Sequence, residues 1–275
     1  MISKPPIPLP EIHDSILTAI REFDWEQGRP ILAELVGNTP AYMAKHFALE
    51  HTIPSPSSVT SCRRQLWYKG HDTGVDRTLP ESWQMRAAMG MVMEPWWFMI
   101  LGLSDPRLVV TTVEDPLDIA PGVIGSPDGY LKGIDSLLEL KSQTGWKFIF
   151  NNEKGIESES PEHVAQCQLY MHGAGVEWTL FLAASADPSF LRWYKAPYIG
   201  PKGSKYKDPE FNYPFFLLEW VRYDPKEATR LLERMDIIRA DLKEEELAPR
   251  EYDPWTTKWP CQKGCRWREQ CEAAG

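Results

Sequence analysis

The chain has 275 residues, of which 43% are hydrophobic and 25% charged, and it carries a net charge of −9. That length admits one large domain, or one domain with an appendage. The acidic balance argues against a protein that coats nucleic acid over its whole surface, while leaving room for one that grips it locally around clustered carboxylates. No apolar run approaches the roughly 20 residues of a membrane span, and the richest, residues 89–103, is broken by Glu94 and Pro95. The start, Met-Ile-Ser-Lys-Pro-Pro, lacks the apolar core of a secretion signal. A cytoplasmic home is expected, in a bacterium or in the host cell of a phage.

Residues 1–10 contain four prolines and read as an extended arm. Ile12, Ile16, Leu17, Ile20 and Phe23 recur at helical spacing and predict a helix from Glu11 to Phe23. Further helices are expected over Pro30 to Leu35, Ala41 to Glu50, and Ser57 to Lys69, the last carrying Cys62. A long helix is expected from Pro80 to Leu103, kinked at Pro95. A β-rich block follows: Leu108 to Val113, then Gly122 to Gly125, Gly129 to Lys132 and Ser136 to Lys141, separated by Gly and Pro as in a meander. Trp146 to Asn152 and Pro161 to Gly173 read as helices. Trp178 to Ala184, Phe190 to Ala196 and Phe215 to Arg222 read as strands, with a Lys-bearing loop from Tyr198 to Tyr213. Asp224-Pro-Lys-Glu227 is a helix start, with Asp as cap and Pro at the first turn, and that helix should reach Glu246. The expected class is α/β, a mixed central sheet flanked by helices. Residues 1–54 read as an N-terminal helical extension. Residues 55–275 form the main domain, ending in a cysteine cluster within 255–275.

The sharpest chemical signal is Gly125-Ser-Pro-Asp128-Gly, then Glu139-Leu-Lys141 ten residues on. On a strand, Glu139 and Lys141 project from one face and Leu140 from the other. If the preceding strand pairs with this one, Asp128 lies beside Glu139. Two close carboxylates repel unless a cation sits between them. Mg²⁺ suits such a place, because it takes few protein carboxylates and fills its other positions with water and phosphate oxygens. Lys141 would lie near developing phosphoryl charge, and the Leu140 carbonyl can also face a metal. Taken alone, the three residues equally suit an ordinary Asp-Gly turn followed by an exposed strand.

Their neighbours supply a context. Pro127-Asp128 followed by Glu139-Leu-Lys141 closely resembles the PD-(D/E)XK nuclease motif, in particular its RecB-like and lambda-exonuclease-like branch. That branch carries Gly-x-x-x-Glu on an upstream helix, matched here by Gly90-Met-Val-Met-Glu94. It also carries Gln-x-x-x-Tyr on a downstream helix, matched by Gln166-Cys-Gln-Leu-Tyr170, whose ends share one helix face. The resemblance covers residues 55–275 and implies the PD-(D/E)XK, restriction-endonuclease-like core. It implies Mg²⁺ or Mn²⁺ held by Glu94, Asp128, Glu139 and the Leu140 carbonyl. It implies Lys141 in catalysis, with Gln166 and Tyr170 orienting water or phosphate.

Five cysteines are present: Cys62, Cys167, Cys261, Cys265 and Cys271. An odd number without a secretion signal argues against a disulfide framework. Cys261, Cys265 and Cys271 form a compact group one ligand short of four, and Cys62 is the candidate fourth. The pattern resembles iron–sulfur RecB-type nucleases, which include CRISPR-associated adaptation nucleases, AddB and exonuclease V. It implies a 4Fe–4S cluster on Cys62, Cys261, Cys265 and Cys271, clipping the tail to the front of the core. The first gap of three residues departs from the Cys-x-x-Cys-x₅-Cys spacing of that group, so a four-cysteine zinc site stands as the second option. Cys167 reads as a packing residue.

The implied activity is hydrolysis of phosphodiester bonds at single-stranded or duplex DNA ends, with 5′→3′ polarity, in recombination, repair or phage DNA processing. Exonuclease action is favoured over endonuclease action. A CRISPR-type nuclease that trims DNA ends, and a non-catalytic DNA-binding subunit that keeps the fold, are the two alternatives. Arg63, Arg64, Arg86, Lys202, Lys205 and Lys207 are candidate phosphate contacts, each equally suited to solvated surface. Trp146 is a candidate for stacking on an unpaired base. A homo-oligomer or a recombination partner protein is compatible with the chain, and no membrane partner is expected.

Overall fold

The computed structural model describes residues 4–48, 53–71, 81–111, 116–143, 145–185, 215–253, 255–256, 261 and 265–274, without the side chains of 38–48 and 81–88. Its centre is a five-stranded sheet of β1 (Val110–Thr111), β4 (Gly129–Leu131), β5 (Ser136–Gln143), β6 (Trp178–Ser185) and β7 (Phe216–Arg222), in the order 1-4-5-6-7. The pair β5–β6 is parallel and the other neighbours are antiparallel. A parallel pair needs a long crossover. Here it consists of α5 (Gly145–Lys154), α6 (Ile156–Glu159) and α7 (Pro161–Ala174).

Alternation along the central strands sorts side chains into two cores. Leu137, Phe181, Ala183, Leu217 and Val221 face the crossover helices together with α8 (Pro225–Asp241). Leu138, Leu140, Leu180, Leu182, Ala184 and Phe216 face α1 (Leu9–Arg21) and α4 (Glu81–Ser104). Each fully buried Leu, Ile or Phe contributes roughly 1.5–3 kcal/mol. The chain is therefore a mixed α/β protein, a central sheet between helical layers, as the sequence pattern predicts. Ile7, Ile12 and Ile16 of the N-terminal region lie in the same core as Leu138 and Leu180. Trp220 Nε1 donates to the Ile7 carbonyl at 2.8 Å.

Several elements differ from expectation. The two helices expected over 30–50 are one, α2 (Trp25–Ala48), which runs through Pro30 and Pro40. Its first turn is tied down by Asp24, whose Oδ1 accepts from Glu26 N at 2.9 Å. The helix expected over 57–69 begins later, as α3 (Arg63–Gly70). Ser55 and Ser58 explain the delay, because they close local turns, with Ser55 N donating to Ser58 Oγ and Ser58 N to the Ser55 carbonyl, both at 2.9 Å. Cys62 is consequently not on a helix but in extended backbone just before one.

The Gly122–Gly125 segment does not join the main sheet. As β3 (Val123–Gly125) it pairs with β2 (Leu117–Ala120), a strand the sequence reading missed. The helix capped by Asp224 does start there, with Asp224 Oδ1 accepting from Lys226 N, but it ends at Asp241 rather than Glu246. A short α9 (Arg268–Ala273) closes the tail. The expected strand over 190–196 and the loop over 198–213 lie outside the described residues. Among the described residues, no helix is long and apolar enough to cross a membrane.

Candidate active site and cysteine cluster

Strand β5 is unusual for its burial. Ser136 through Leu140 are all buried, as befits a strand paired on both edges and covered on both faces, yet Glu139 stands among them with 1% exposure. A buried carboxylate is costly unless paired. Lys141 Nζ forms an ion pair with Oε1, and Oε2 has no hydrogen-bond partner among the described residues.

The β4–β5 register sets Gly129 opposite Leu138, which brings Asp128, one residue before β4, across from Glu139. Asp128 Oδ2 accepts from Leu140 N–H at 2.6 Å. The N–H and C=O of one strand residue leave by the same edge, so the Leu140 carbonyl also faces the Asp128 side. Glu94 approaches from α4, half-buried, and is influenced by Asp128 and Glu139. This close approach of helix and strand is seen at Gly90, where an added Cβ would sit 4.0 Å from Ser142 Cβ.

The electrostatics show an acidic cluster short of positive charge. Burial raises Glu94 to about 8, with Asp128 and Glu139 adding to the rise and Lys141 opposing it. Burial raises Glu139 to about 7, with Lys141 pulling it down and Asp128 pushing it up. For Lys141 burial alone would lower the pKa, but Glu139 and Asp128 hold it well above the ordinary lysine value.

Helix α7 covers this face. Gln166 Nε2 donates to Tyr170 OH at 3.0 Å, and both side chains are buried. Burial, reinforced by Glu139, raises the Tyr170 phenol. Gly125 makes room for that ring, since a Cβ there would lie 2.6 Å from Tyr170 Cε1. Cys167 is fully buried in the core beside these residues, as expected of a packing residue.

Two groups near the site were not read from the sequence. His163, on α7, is held neutral at a pKa of about 4 by burial and then by Lys141 and Lys147, against Glu162. Gln143 follows Glu139 and Lys141 on the same strand face, a placement that period-two spacing alone would reveal. Its Oε1 accepts from Asn151 Nδ2 at 2.8 Å, and Asn151 Oδ1 accepts from Ser160 Oγ at 2.7 Å, all buried.

The other constellation also comes together. Cys62, Cys261, Cys265 and Cys271 line one small cavity with Tyr68, Arg250 and Arg268. All four are free thiols. Burial raises Cys261 and Cys265, and neighbouring sulfurs of the group add to it. Among the described residues, no three His, Cys, Asp or Glu side chains converge on a single metal-ion position as placed, here or at the carboxylates.

Arg63 and Arg64 do not face outward as phosphate contacts would. Arg63 forms a two-pronged pair with Asp241, at 2.7 and 2.6 Å. Arg64 is buried and its Nε donates to the Ala248 carbonyl at 2.7 Å. With Trp67 Nε1 donating to the Glu244 carbonyl at 3.0 Å, they fasten α3 to the end of α8 and the segment that follows it. Trp146, on α5, is 49% exposed and stacks on Phe150 with ring centroids 5.9 Å apart. Arg86 has no described side chain, and Lys202, Lys205 and Lys207 lie outside the described residues.

No family model and no curated protein matches the chain. Among solved structures it is similar to an alkaline exonuclease from Laribacter hongkongensis, with 18% identity and a TM-score of 0.48, over 69% of this chain and 87% of that one. It is similar to a phage-related exonuclease from Haemophilus somnus 129PT, with 13% identity and a TM-score of 0.45, over 69% and 81%. A third, SSO0001, has 15% identity and a TM-score of 0.48, over 88% and 96%.

Proposed function

We propose that the chain is a divalent-metal-dependent deoxyribonuclease acting at DNA ends, with 5′→3′ exonuclease action in DNA recombination, repair or phage DNA processing. The observation that carries the reading is Glu139: a carboxylate at 1% exposure, its Oε1 paired with Lys141 and its Oε2 without a hydrogen-bond partner among the described residues, across from Asp128. A purely structural ion pair would be expected to satisfy both oxygens. A cation-binding site leaves one open.

The donor set suits Mg²⁺ or Mn²⁺, which takes one or two carboxylates and completes its shell with water and substrate oxygens. Asp128, Glu139 and the Leu140 carbonyl would hold it, with Glu94 acting from the second side, directly or through water. Such an ion, when bound, polarises a phosphoryl oxygen and acidifies a water. The chain's own groups do the rest. Lys141 stays protonated and places a positive charge where phosphoryl charge grows. Asp128 fixes the Leu140 peptide through its N–H. Gln166 and Tyr170 form a buried hydrogen-bonded pair that orients water or phosphate.

The four cysteines are proposed to hold a 4Fe–4S cluster, with four-cysteine zinc as the competing occupant. Supporting it, the four thiols line one cavity, and four cysteine ligands suit such a cluster. The test of the nuclease reading is end-labelled DNA with Mg²⁺ or Mn²⁺. Shortening by the wild type and none by Asp128→Ala or Lys141→Ala is expected; full activity in either variant would overturn the assignment.

A further inference from the structure

The cavity shared by the four cysteines is also lined by Arg64, Arg250 and Arg268. Arg268 is answered by Glu272, which pairs with it at 2.6 Å. The other two are not answered in this way. Arg64 is 9% exposed, and its Nε donates to the Ala248 carbonyl. Its Nη1 is buried and has no hydrogen-bond partner among the described residues. Arg250 donates from Nη2 to the Cys271 carbonyl and lies over the Trp255 ring, 4.9 Å from its centroid. Its Nε is likewise buried and unpaired among the described residues. Neither arginine has a carboxylate partner among those residues, whereas the adjacent Arg63 pairs with Asp241 at 2.6 Å. A buried cation without a counter-charge is costly. Two of them around one cavity mark the place of a buried negative charge.

Resting on the iron–sulfur reading, we infer that Arg64 and Arg250 donate N–H groups to the sulfurs of the cluster and raise its reduction potential. A doubly positive iron–sulfur core on four thiolates keeps two net negative charges, and the two unpaired guanidinium groups balance them. Each arginine has one free N–H to offer a thiolate or an inorganic sulfide. Hydrogen bonds to sulfur, with positive charge close by, favour the electron-rich state of such a cluster. The step concerned is the gain of one electron from a one-electron reductant, dithionite in the test below. The charge of the core drops by one, the reductant is oxidised, and no bond or proton is exchanged. The fixed cations ease that step, so the cluster is open to reduction and is more than a clip for the tail. Zinc on the same cysteines has no redox step, which separates the two occupants in one experiment.

The experiment is a dithionite titration of the anaerobically purified full chain against mediator dyes, read by bleaching of its visible absorption, with iron content measured alongside. Wild type is compared with Arg64→Gln, Arg250→Gln and Arg64→Lys. Both Gln variants are expected to keep their iron while the reduction equilibrium becomes roughly tenfold less favourable, a downward shift of about 59 mV for one electron. Arg64→Lys keeps the charge and loses the planar fork, so its midpoint should fall between wild type and Arg64→Gln. Unshifted midpoints in both Gln variants at full iron content overturn the inference while the cluster reading stands. If the variants lose iron, the wild type decides. Labelled with ¹⁵N-arginine, reduced and examined by pulsed electron paramagnetic resonance, it is expected to show arginine nitrogen coupled to the cluster, and no coupling overturns the inference. An iron-free wild type that holds zinc overturns it together with the cluster reading.

Discussion

Replacing Glu139 by Gln should make the metal-free protein more stable while abolishing its activity. The carboxyl is carried from its ordinary 4.5 to about 7, mainly by burial and further by Asp128, against the pull of Lys141. That rise disfavours the ionised form in the folded chain by roughly 3 kcal/mol. The folded protein retains a proton that the unfolded chain releases, so stability from this group is fullest below about pH 4.5. It is lost as pH climbs to about 7 and stays lost above. Glu94, raised to about 8, extends the decline. Gln has the same shape and no charge, so the variant escapes that loss. At pH 8 in chelator its unfolding midpoint should lie roughly 5–10 °C above wild type. Added Mn²⁺ should then raise the wild-type midpoint by mass action and leave the variant's nearly unmoved. The assay is thermal unfolding at pH 5 and pH 8, with chelator and with Mn²⁺. A Glu139→Gln protein that melts at or below wild type at pH 8 in chelator would refute the claim that Lys141 only partly compensates this buried carboxylate.

Three further outcomes follow from the packing. Gly125→Val puts atoms within 2.6–2.9 Å of Tyr170, Ile119 and Pro56; overpacking of this kind costs roughly 1–3 kcal/mol, and an unchanged denaturation midpoint would contradict the close approach. Asn151→Ala removes the middle of the Gln143–Asn151–Ser160 chain and leaves its two ends unpaired. A loss of about 2 kcal/mol, read as a lower urea midpoint at unchanged slope, is expected, and no loss would show the chain to be inconsequential. Cys62→Ser should strip anaerobically purified protein of bound iron and visible colour and make the residues after 250 sensitive to limited proteolysis; a colourless wild type with one equivalent of zinc would replace the cluster by zinc.

The trio was legible because period-two spacing places Glu139 and Lys141 on one strand face, and because β4 and β5 are joined by a short link that lets Asp128 reach Glu139. Its burial was not legible, since a Leu-Leu-Glu-Leu strand reads the same at a sheet edge and at its centre. Only the parallel pairing with β6, reached through a crossover of three helices, encloses Glu139. Local hydrogen bonding explains other gaps. The Ser55 and Ser58 turns delay α3 past Cys62, a competition that a hydrophobic pattern does not register. Arg63 and Arg64 looked like surface charge because their partners, Asp241 and the Ala248 carbonyl, lie some 180 residues away.

The central claim is that the Asp128–Glu139–Lys141 cluster cuts phosphodiester bonds with the help of a divalent ion. Single-turnover cleavage of end-labelled linear DNA by wild type and Glu139→Gln, at equal protein and saturating Mn²⁺, tests it most directly. The account predicts progressive shortening by the wild type, and a rate lower by on the order of 10² to 10³ in the variant despite its higher stability. Equal rates in the two proteins, or wild-type cutting undiminished by chelator, would contradict it.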